Sequence, residues 1–372
     1  MMARACVTLL AIHLYLTSSV AAAPPSPSPI TRLKRLYPRT VLVANGQPHC
    51  VVVTPDAPEY AALAEQFVAL IRERTGAAVP VRLAAEVADE HWRIDFAGTG
   101  DRNIVALGSV NNNRLLSVLY GRRYVVADSI YPGTGGYVIR TVHDPFARGI
   151  NVLVLAGSDA EGVRRAISVF GDRHAKVTGT TLVLPDPVTD VEFERKGYRF
   201  FPDASHSLSS KRQPQYTGMD WFRERLQQAG FMDAEGKVIK SDQPGKTLVS
   251  LTGMIARMGQ TYFRTGSPEL PPLMKELLDT NRHLLAVPEP LNEMQPRAAT
   301  HVHEWDLLEE LPIWTDQDRL EITNALLRDA AIGHERRAFH AQVENGAVMA
   351  MDENHGTASA RNSFRAWQYF HK

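Results

Sequence analysis

The sequence predicts an α/β domain followed by an all-α domain, and three observations lead to this fold class. Residues 40–190 alternate short β-branched runs, such as Cys50 to Val53, with stretches of helical periodicity, such as Ala57 to Arg74. Residues 195–372 repeat apolar residues at helical spacing, with no strand pattern between the helices. Loops of uneven length join these helices, and aromatic residues recur near their ends, which suits an α/α solenoid or toroid.

The overall composition is that of an ordinary globular protein. The chain has 372 residues, of which 44% are hydrophobic, and its 41 basic and 41 acidic residues give no net charge. This balance argues against a nucleic-acid partner and against acidic disorder. The chain contains two cysteines, Cys6 and Cys50. Cys6 lies in the leader, so we expect no internal disulfide and place Cys50 at the start of a buried strand.

The first residues have the features of an export signal. Residues 1–23 combine Arg4, an apolar run from Cys6 to Leu16 and small residues from Val20 to Ala23. The apolar run is too short to span a bilayer. We therefore expect a secreted or periplasmic protein with no membrane span after signal removal. Residues 24–39 begin with PPSPSP, a composition that predicts a stiff extended linker.

The α/β domain is expected to consist of alternating strands and helices. Asn111 to Asn113 is interpreted as the start of one helix, and Ser158 and Glu161 form a capping box for another. Gly98 and Gly100 precede a strand instead of following one, which excludes a dinucleotide-binding fingerprint. The predicted strands are Cys50–Val53, Val79–Leu83, Asn103–Leu107, Tyr137–Val142, Asn151–Leu155 and Thr181–Leu184, with helices over residues 57–74, 111–120 and 158–170.

Three segments of this domain carry a resemblance to a known family. They read GSVNNN, YPGTGGYVIRTVHDP and GINVLVLAGSDAEGVRRAISVF. They resemble the non-catalytic α/β domain that precedes the catalytic domain of bacterial β-hexosaminidases and α-glucuronidases. The resemblance implies a structural companion, so no polar residue of this domain is assigned to catalysis.

The second half of the chain is expected to be helical throughout. Thr315 or Asp316 is the expected start of one long helix, and Thr357 the cap of the last. The predicted helices cover residues 220–229, 246–264, 271–286, 303–311, 316–332 and 339–349, followed by a helix through Phe364, Trp367 and Tyr369.

One candidate site in this half is the sequence HVHEWD. His301 and His303 would share a strand face, and Glu304 or Asp306 would complete a metal site, but no third ligand follows at a recognised spacing. We favour His303 or Glu304 as part of a groove or as a helix cap. The sequence predicts no metal and no cofactor.

The carboxylates Glu304, Asp306, Glu309 and Glu310 form an acidic run with two interpretations. Paired carboxylates serve as acid and base in glycosidases. Alternatively, the run is a solvated face that Arg319 and other basic residues neutralise.

Aromatic residues form another candidate feature, because sugars stack their C–H faces on such rings. Core packing is the competing interpretation, and we favour it for most of the set. The set comprises Trp221, Trp305, Trp314, Trp367 and Tyr369.

The last stretch of the chain places an amide next to an imidazole, at Asn354 and His355. The amide can donate to a carboxylate, and the imidazole can take a proton near neutral pH. A simple turn is the alternative interpretation. Arg361 and Arg365 share a helix face that Tyr369 continues, and such a basic stripe would hold a uronate carboxylate.

The segments HVHEWDLLEELPIWTDQDRL and ENHGTASARNSFRAWQYF resemble the (α/α) toroid polysaccharide lyases. The resemblance implies that Asn354 neutralises the uronate carboxylate, that His355 is the base and that Tyr369 is a candidate acid. It also implies a substrate-binding set: Trp305, His303, Glu309, Arg361, Arg365 and Trp367. Toroids of this group have more helices than this chain supplies, so we expect an incomplete toroid in the N-terminal piece of a longer protein.

The expected function is therefore an exported protein that cleaves a uronic-acid polysaccharide by β-elimination. Two alternatives stay open at this stage. One is a hydrolase on the same helical scaffold, with its acid and base among Glu309, Glu310, Asp352 and Glu353. The other is a carbohydrate-binding protein without turnover.

Overall fold

The computed structural model describes residues 28–193, 219–242, 250–287 and 298–343, together with positions 366, 369 and 370; for 298–300 and 332–343 it describes the backbone alone. The strands are β1 Thr40–Ala44, β2 Gln47–Pro48, β3 Cys50–Thr54, β4 Val81–Leu83, β5 Asn103–Gly108, β6 Tyr137–Val142, β7 Val152–Gly157, β8 Val177–Thr178, β9 Thr181–Leu184 and β10 Thr189–Glu192. The helices are α1 Pro58–Thr75, α2 Ala84–Val87, α3 Arg114–Gly121, α4 Ala160–Val169, α5 Met219–Gln228, α6 Leu251–Thr265, α7 Leu270–Asn281, α8 Ala298–Leu308 and α9 Asp316–Val343. A π-helical turn, Phe170–His174, extends α4, and a 3₁₀ turn, Arg282–Ala286, extends α7.

The main sheet has six strands in the order β10-β6-β7-β5-β3-β4. Strands β4, β3, β5 and β7 run parallel, whereas β6 and β10 are antiparallel to their neighbours. The predicted strands Tyr137–Val142 and Asn151–Leu155 correspond to β6 and β7, which pair antiparallel with Val142 opposite Val152. The mixed α/β class predicted from the sequence is confirmed in this part of the chain.

A smaller antiparallel sheet has the order β2-β1-β9-β8. The strand predicted at Thr181–Leu184 is confirmed, but it pairs with β1 instead of joining the main sheet. Neither β1 nor the edge strand β10 was predicted. β10 reads TDVE and is only partly buried, so it lacks the apolar run that marks the buried strands.

Side chains alternate between the two faces of each strand, and other elements cover both faces of the main sheet. Cys50 and Val52 of β3 point into a core that α1, α4 and the small sheet cover. Cys50 is fully buried, as expected from its position in a strand, and burial raises the pKa of its thiol to about 12.

The opposite face of the main sheet packs against the helical part of the chain. Val51 and Val53 belong to one continuous apolar cluster that also includes Met254 of α6, Leu277 of α7 and Leu308 of α8. The sheet and the helices therefore share a core, and separating them would expose apolar surface on both sides.

Several helix ends differ from the prediction. The residues HVHE lie inside α8, so His301 and His303 are two positions apart on a helix and point in different directions, contrary to the expected strand face. The N-cap of α4 is Asp159, which accepts from the Gly162 amide, instead of Ser158. Asn113 caps α3 as expected.

Helix α9 begins as predicted and continues further. Thr315 caps it, since its hydroxyl accepts from the Asp318 amide at 3.1 Å and the Asp318 carboxylate accepts from the Thr315 amide at 2.9 Å. The helix then runs unbroken to Val343, across the gap expected between residues 332 and 339.

Helices α6 and α8 approach closely at a glycine. A Cβ atom on Gly259 of α6 would overlap the side chain of Leu308. Helix α6 also packs on α7, and α8 on α9, as helical hairpins do. Closure of these hairpins into a toroid stays a prediction. Within the ranges that the structure covers, no helix has the length and apolar character to cross a membrane.

Candidate functional site

The acidic run of α8 lies in the protein interior. Glu304 and Asp306 are in the helix, Glu309 follows its end, and all three side chains are buried. The interpretation of the run as a solvated face is therefore wrong. Because buried carboxylates are costly unless they are paired, the contacts of each one matter.

Lys34, which precedes the first strand, supplies the positive charge for two of these carboxylates. Its Nζ atom forms ion pairs with Asp306 and Glu309. Asp306 also accepts a hydrogen bond from the Tyr124 hydroxyl at 3.0 Å. Burial opposes the charge on Lys34, but Asp306 and Glu309 outweigh it and hold its pKa well above the ordinary value. Lys34 is therefore an ammonium ion at neutral pH.

Glu309 is contacted from three sides. Besides Lys34, the Arg319 guanidinium lies 3.6 Å from its Oε2 atom, and the Tyr369 hydroxyl donates to the same atom at 3.2 Å. Burial raises the pKa of Glu309, whereas Lys34 and Arg319 act in the opposite direction. The expected neutralisation of the acidic run by Arg319 is present.

Tyr369 connects this network to the aromatic core. The Oγ1 atom of Thr323 lies 3.4 Å from the Tyr369 hydroxyl and accepts from the Trp305 indole nitrogen at 2.9 Å. Burial, and after it the negative charge of Glu309, raises the pKa of Tyr369 well above its usual value. The phenol therefore keeps its proton at neutral pH and acts as a hydrogen-bond donor.

The other two carboxylates of the run also pair with the α/β domain or a neighbouring helix. Glu304 accepts from Arg123 at 3.0 Å and from Gln260 at 2.6 Å. Glu310 lies 2.7 Å from the Nδ1 atom of His143, in the turn between β6 and β7. Glu304 and Glu310 thus join the helical part of the chain to the α/β part through ion pairs. This structural role explains why the run is acidic.

A cleft of about 750 Å³ lies beside the network. One wall is the segment 30–37, here called the strap, which crosses the helical part before entering β1. The backbone amide of Ile30 donates to the side-chain oxygen of Asn324 in α9 at 2.6 Å. The side-chain nitrogen of Asn324 donates to the Ile30 carbonyl at 3.0 Å. The lining residues are Ile30, Arg32, Leu33, Lys34, Arg35, Thr323, Tyr369 and Phe370.

The strap belongs to the segment that the sequence assigned to the linker, and its role in the cleft was missed. A signal was present, because Arg32, Lys34 and Arg35 alternate with Ile30 and Leu33, unlike the PPSPSP that precedes them. Such an amphipathic segment has both an apolar contact face and a charged face.

The chemistry of the cleft favours an anionic ligand with apolar faces. Arg32 and Arg35 are exposed, and the Lys34 ammonium lies 5.0 Å from the centre of the Tyr369 ring. Guanidinium groups bind carboxylates through paired hydrogen bonds, while Tyr369 and Phe370 add aromatic surface.

The candidate site residues are distributed unevenly around this cleft. Tyr369 lines it. Trp305, His303 and Glu309 are buried in the protein interior. Trp305 and Glu309 contact the cleft residues Thr323 and Tyr369, whereas the His303 ring lies against the Tyr124 ring. This placement differs from the substrate contact predicted for them. Five further candidates lie outside the described residues: Asn354, His355, Arg361, Arg365 and Trp367.

Of the four carboxylates proposed as acid and base of a hydrolase, two lie in the described part of the chain. Glu309 and Glu310 are engaged with Lys34 and His143, respectively. Asp352 and Glu353 lie outside the described residues.

Comparison with known proteins adds no family. The sequence matches no protein-family model. It also matches no curated protein sequence. The function is therefore inferred from the cleft and from the residues near it.

Proposed function

We propose that this protein is exported and cleaves a uronic-acid polysaccharide by β-elimination. The observation that supports the proposal is the composition of the cleft wall, where the exposed residues Arg32 and Arg35 line the same cleft as Tyr369 and Phe370. A uronic acid offers one carboxylate and apolar ring faces, so cations and aromatic side chains complement it together.

The chemical difficulty of this reaction lies at the carbon next to the carboxylate. Removal of the C5 proton places additional negative charge on the carboxylate group. In our proposal the Asn354 amide donates to that carboxylate, and the His355 imidazole accepts the C5 proton. The electron pair of the C5–H bond then forms the C4–C5 double bond as the C4–O bond breaks.

The departing oxygen must receive a proton, and Tyr369 is the proposed donor. The phenol carries its proton at neutral pH, as a donor must, because burial and the charge of Glu309 raise its pKa. Glu309 accepts the phenol's hydrogen bond when no substrate is bound. A substrate oxygen in the cleft would compete with Glu309 for the same proton.

The test is the ultraviolet absorbance of the product. The purified chain is incubated with alginate, hyaluronate or chondroitin, and elimination produces a conjugated double bond that hydrolysis does not. We expect absorbance to rise with the wild-type protein and to be lost in Asn354→Ala and His355→Ala. A proton-transfer group such as His355 typically contributes about 10²–10⁴-fold to the rate, and a donor to developing charge such as Asn354 about 10²–10³-fold.

Other outcomes distinguish the alternatives. New reducing ends without ultraviolet absorbance would replace the lyase with a hydrolase. Binding of polysaccharide without new chain ends would replace it with a carbohydrate-binding protein. The control is Gln317→Ala, which removes an exposed amide on α9 and should leave the product absorbance unchanged.

A further inference from the structure

A second surface, on the α/β domain, carries a prominently exposed tryptophan. Trp92 lies in a tight turn that an isolated bridge between Ala88 and Ile94 closes. The Asp89 carboxylate fixes this turn by accepting from the amides of His91 at 2.9 Å and Arg93 at 2.8 Å. Trp92 is nevertheless 59% exposed, so a large apolar ring is held on the surface.

The backbone of Trp92 has an unusual conformation. Its φ of 62° lies in the left-handed region, which glycine and asparagine occupy far more readily than tryptophan. The Asp89 carboxylate and the bridge between Ala88 and Ile94 hold the Trp92 backbone in this conformation. Such outliers point to function when the surrounding structure fixes them.

The Trp92 ring rests on the end of helix α3, close to another exposed aromatic residue. A Cβ atom added to Gly121 would lie 3.4 Å from the Cζ3 atom of Trp92, so the indole packs directly over that backbone. Tyr120, the residue before Gly121, is 42% exposed. Two aromatic side chains are therefore open to solvent at the same end of α3.

Two exposed arginines, Arg122 and Arg148, follow this aromatic pair, and the guanidinium group of each stacks on a phenylalanine ring. Arg122 lies 5.5 Å from the centre of the Phe146 ring and donates to the Pro145 carbonyl at 3.0 Å. Arg148 lies 4.5 Å from the centre of the Phe96 ring, and the Phe96 and Phe146 rings pack edge to face. Guanidinium groups stacked in this way are pre-oriented for a planar carboxylate, which reduces the entropy lost on binding.

We infer that Trp92, Tyr120, Arg122 and Arg148, here called the aromatic–arginine surface, form a second binding site for an acidic polysaccharide chain. Sugar rings stack on Trp92 and Tyr120, and the guanidinium groups bind the carboxylates. The ligand class of this site rests on the proposed function.

Two acidic side chains of the same loop, Asp89 and Asp95, accept hydrogen bonds from the loop backbone, and the exposed Glu90 carboxylate lies 3.7 Å from the His91 imidazole. Asp89 accepts from the backbone as described above. Asp95 accepts from the Ala97 amide at 2.8 Å. Both carboxylates therefore stabilise the loop itself.

The surface and the cleft are linked through the protein interior by a few residues. The chain covers Gly121 to Tyr124 in three residues, which is at most about 11 Å. The Tyr124 hydroxyl contacts Asp306, and Asp306 pairs with Lys34 of the cleft wall. A long polysaccharide that occupies both places would be held more tightly than a short oligosaccharide, because the second contact is intramolecular.

The experiment compares Trp92→Ala with the control Ile130→Ala in the full chain. Ile130 is 62% exposed in the same domain, so its removal tests the loss of an equally exposed apolar side chain. Retardation on gels that contain alginate or hyaluronate measures polymer binding, and a dextran gel serves as the neutral reference. Thermal unfolding confirms that each variant is folded.

We expect Trp92→Ala to weaken alginate or hyaluronate binding about tenfold, the loss typical of a central aromatic contact. Ile130→Ala should bind as the wild type does. Arg148→Gln should weaken binding to the acidic polymers about threefold and leave retention by dextran unchanged. Cleavage of short oligosaccharides should be the same in Trp92→Ala and in the wild type.

Equal retardation of Trp92→Ala and Ile130→Ala would overturn the surface and leave the proposed function intact. Failure of the wild-type protein to bind any acidic polymer would overturn both. Binding by the wild type without ultraviolet-absorbing product, together with a loss in Trp92→Ala, would support the surface and reject the lyase reaction.

Discussion

Lys34 forms an ion pair with Asp306, a residue 272 positions later in the chain. The pair joins the strap, which leads into the α/β domain, to the helix that carries the acidic run. Glu309 shares the same ammonium group. One side chain thus compensates two buried carboxylates at the edge of the cleft.

Lys34→Met should destabilise the protein strongly. Removal of one partner of a buried ion pair leaves uncompensated charge, which typically costs about 3–5 kcal/mol. Urea denaturation followed by circular dichroism measures the change in the free energy of unfolding. Lys237→Met is the control, because Lys237 is exposed and surface substitutions typically change stability by less than about 0.5 kcal/mol. A loss no larger than that of the control would contradict the network.

Tyr369→Phe separates catalysis from stability. The variant keeps the aromatic ring but loses the hydroxyl group, which is the proposed proton donor to the departing oxygen. We therefore expect kcat to fall by about 100-fold or more. The free energy of unfolding should fall by only about 1 kcal/mol, because Lys34 and Arg319 still contact Glu309. Product absorbance and urea denaturation measure the two quantities. Gln317→Ala, which removes an exposed amide on α9, should change neither, and an unchanged kcat in Tyr369→Phe would exclude Tyr369 as the acid.

Asp318 should contribute to stability in a pH-dependent way. Burial opposes its charge, but the Arg282 guanidinium and the Thr315 amide, which lies at 2.9 Å, hold the pKa of Asp318 at about 2. Its folded-state pKa lies below the ordinary value of 3.8, so its contribution is complete above that value and is lost as the pH falls towards 2.

Asp318→Asn should therefore be less stable than the wild type at pH 7, and the difference should vanish near pH 2, the folded-state pKa of Asp318. Urea denaturation at several pH values measures both. Glu276→Gln, which replaces an exposed carboxylate on the neighbouring helix, should follow the wild type throughout. A difference between Asp318→Asn and the wild type that stays constant across this pH range would disprove the linkage.

Gly259→Ala tests the close approach of α6 and α8. Alanine favours the helix by about 1 kcal/mol over glycine, but its methyl group would overlap Leu308. Overpacking typically costs about 1–3 kcal/mol, so we expect a net loss or at best no gain in thermal stability. Gly98→Ala is the control for steric overlap, since nothing lies within 4 Å of a Cβ atom at that position. A clear rise in Tm for Gly259→Ala would show that the helices have room to separate.

Local patterns predicted most of the α/β domain. The strands at Cys50 and Asn103 and the cap at Asn113 follow from apolar runs and from side chains that bond nearby amides. Strands β1 and β10 were missed because their pairing is decided by distant residues. The pairing of Thr40 with Leu184, for example, leaves no local signal.

The candidate site was less predictable for the same reason. A carboxylate run such as Glu304 to Glu310 has the same sequence pattern whether it lies on a solvated face or in a buried interface. Only the positions of Lys34 and His143 distinguish the two, and both are remote in sequence. Tyr369 was identified through its place in the last helix, and the structure adds that it lines the cleft.

The position of the strap has a consequence for the order of events during synthesis. A ribosome adds about 5–20 residues per second, so Asp306 is made roughly 14 to 55 s after Lys34. The strands of the main sheet, the last of which ends at Glu192, are all available well before then. The strap is therefore made long before the helix that it contacts, so the ion pair between Lys34 and Asp306 can form only after most of the described chain has been made.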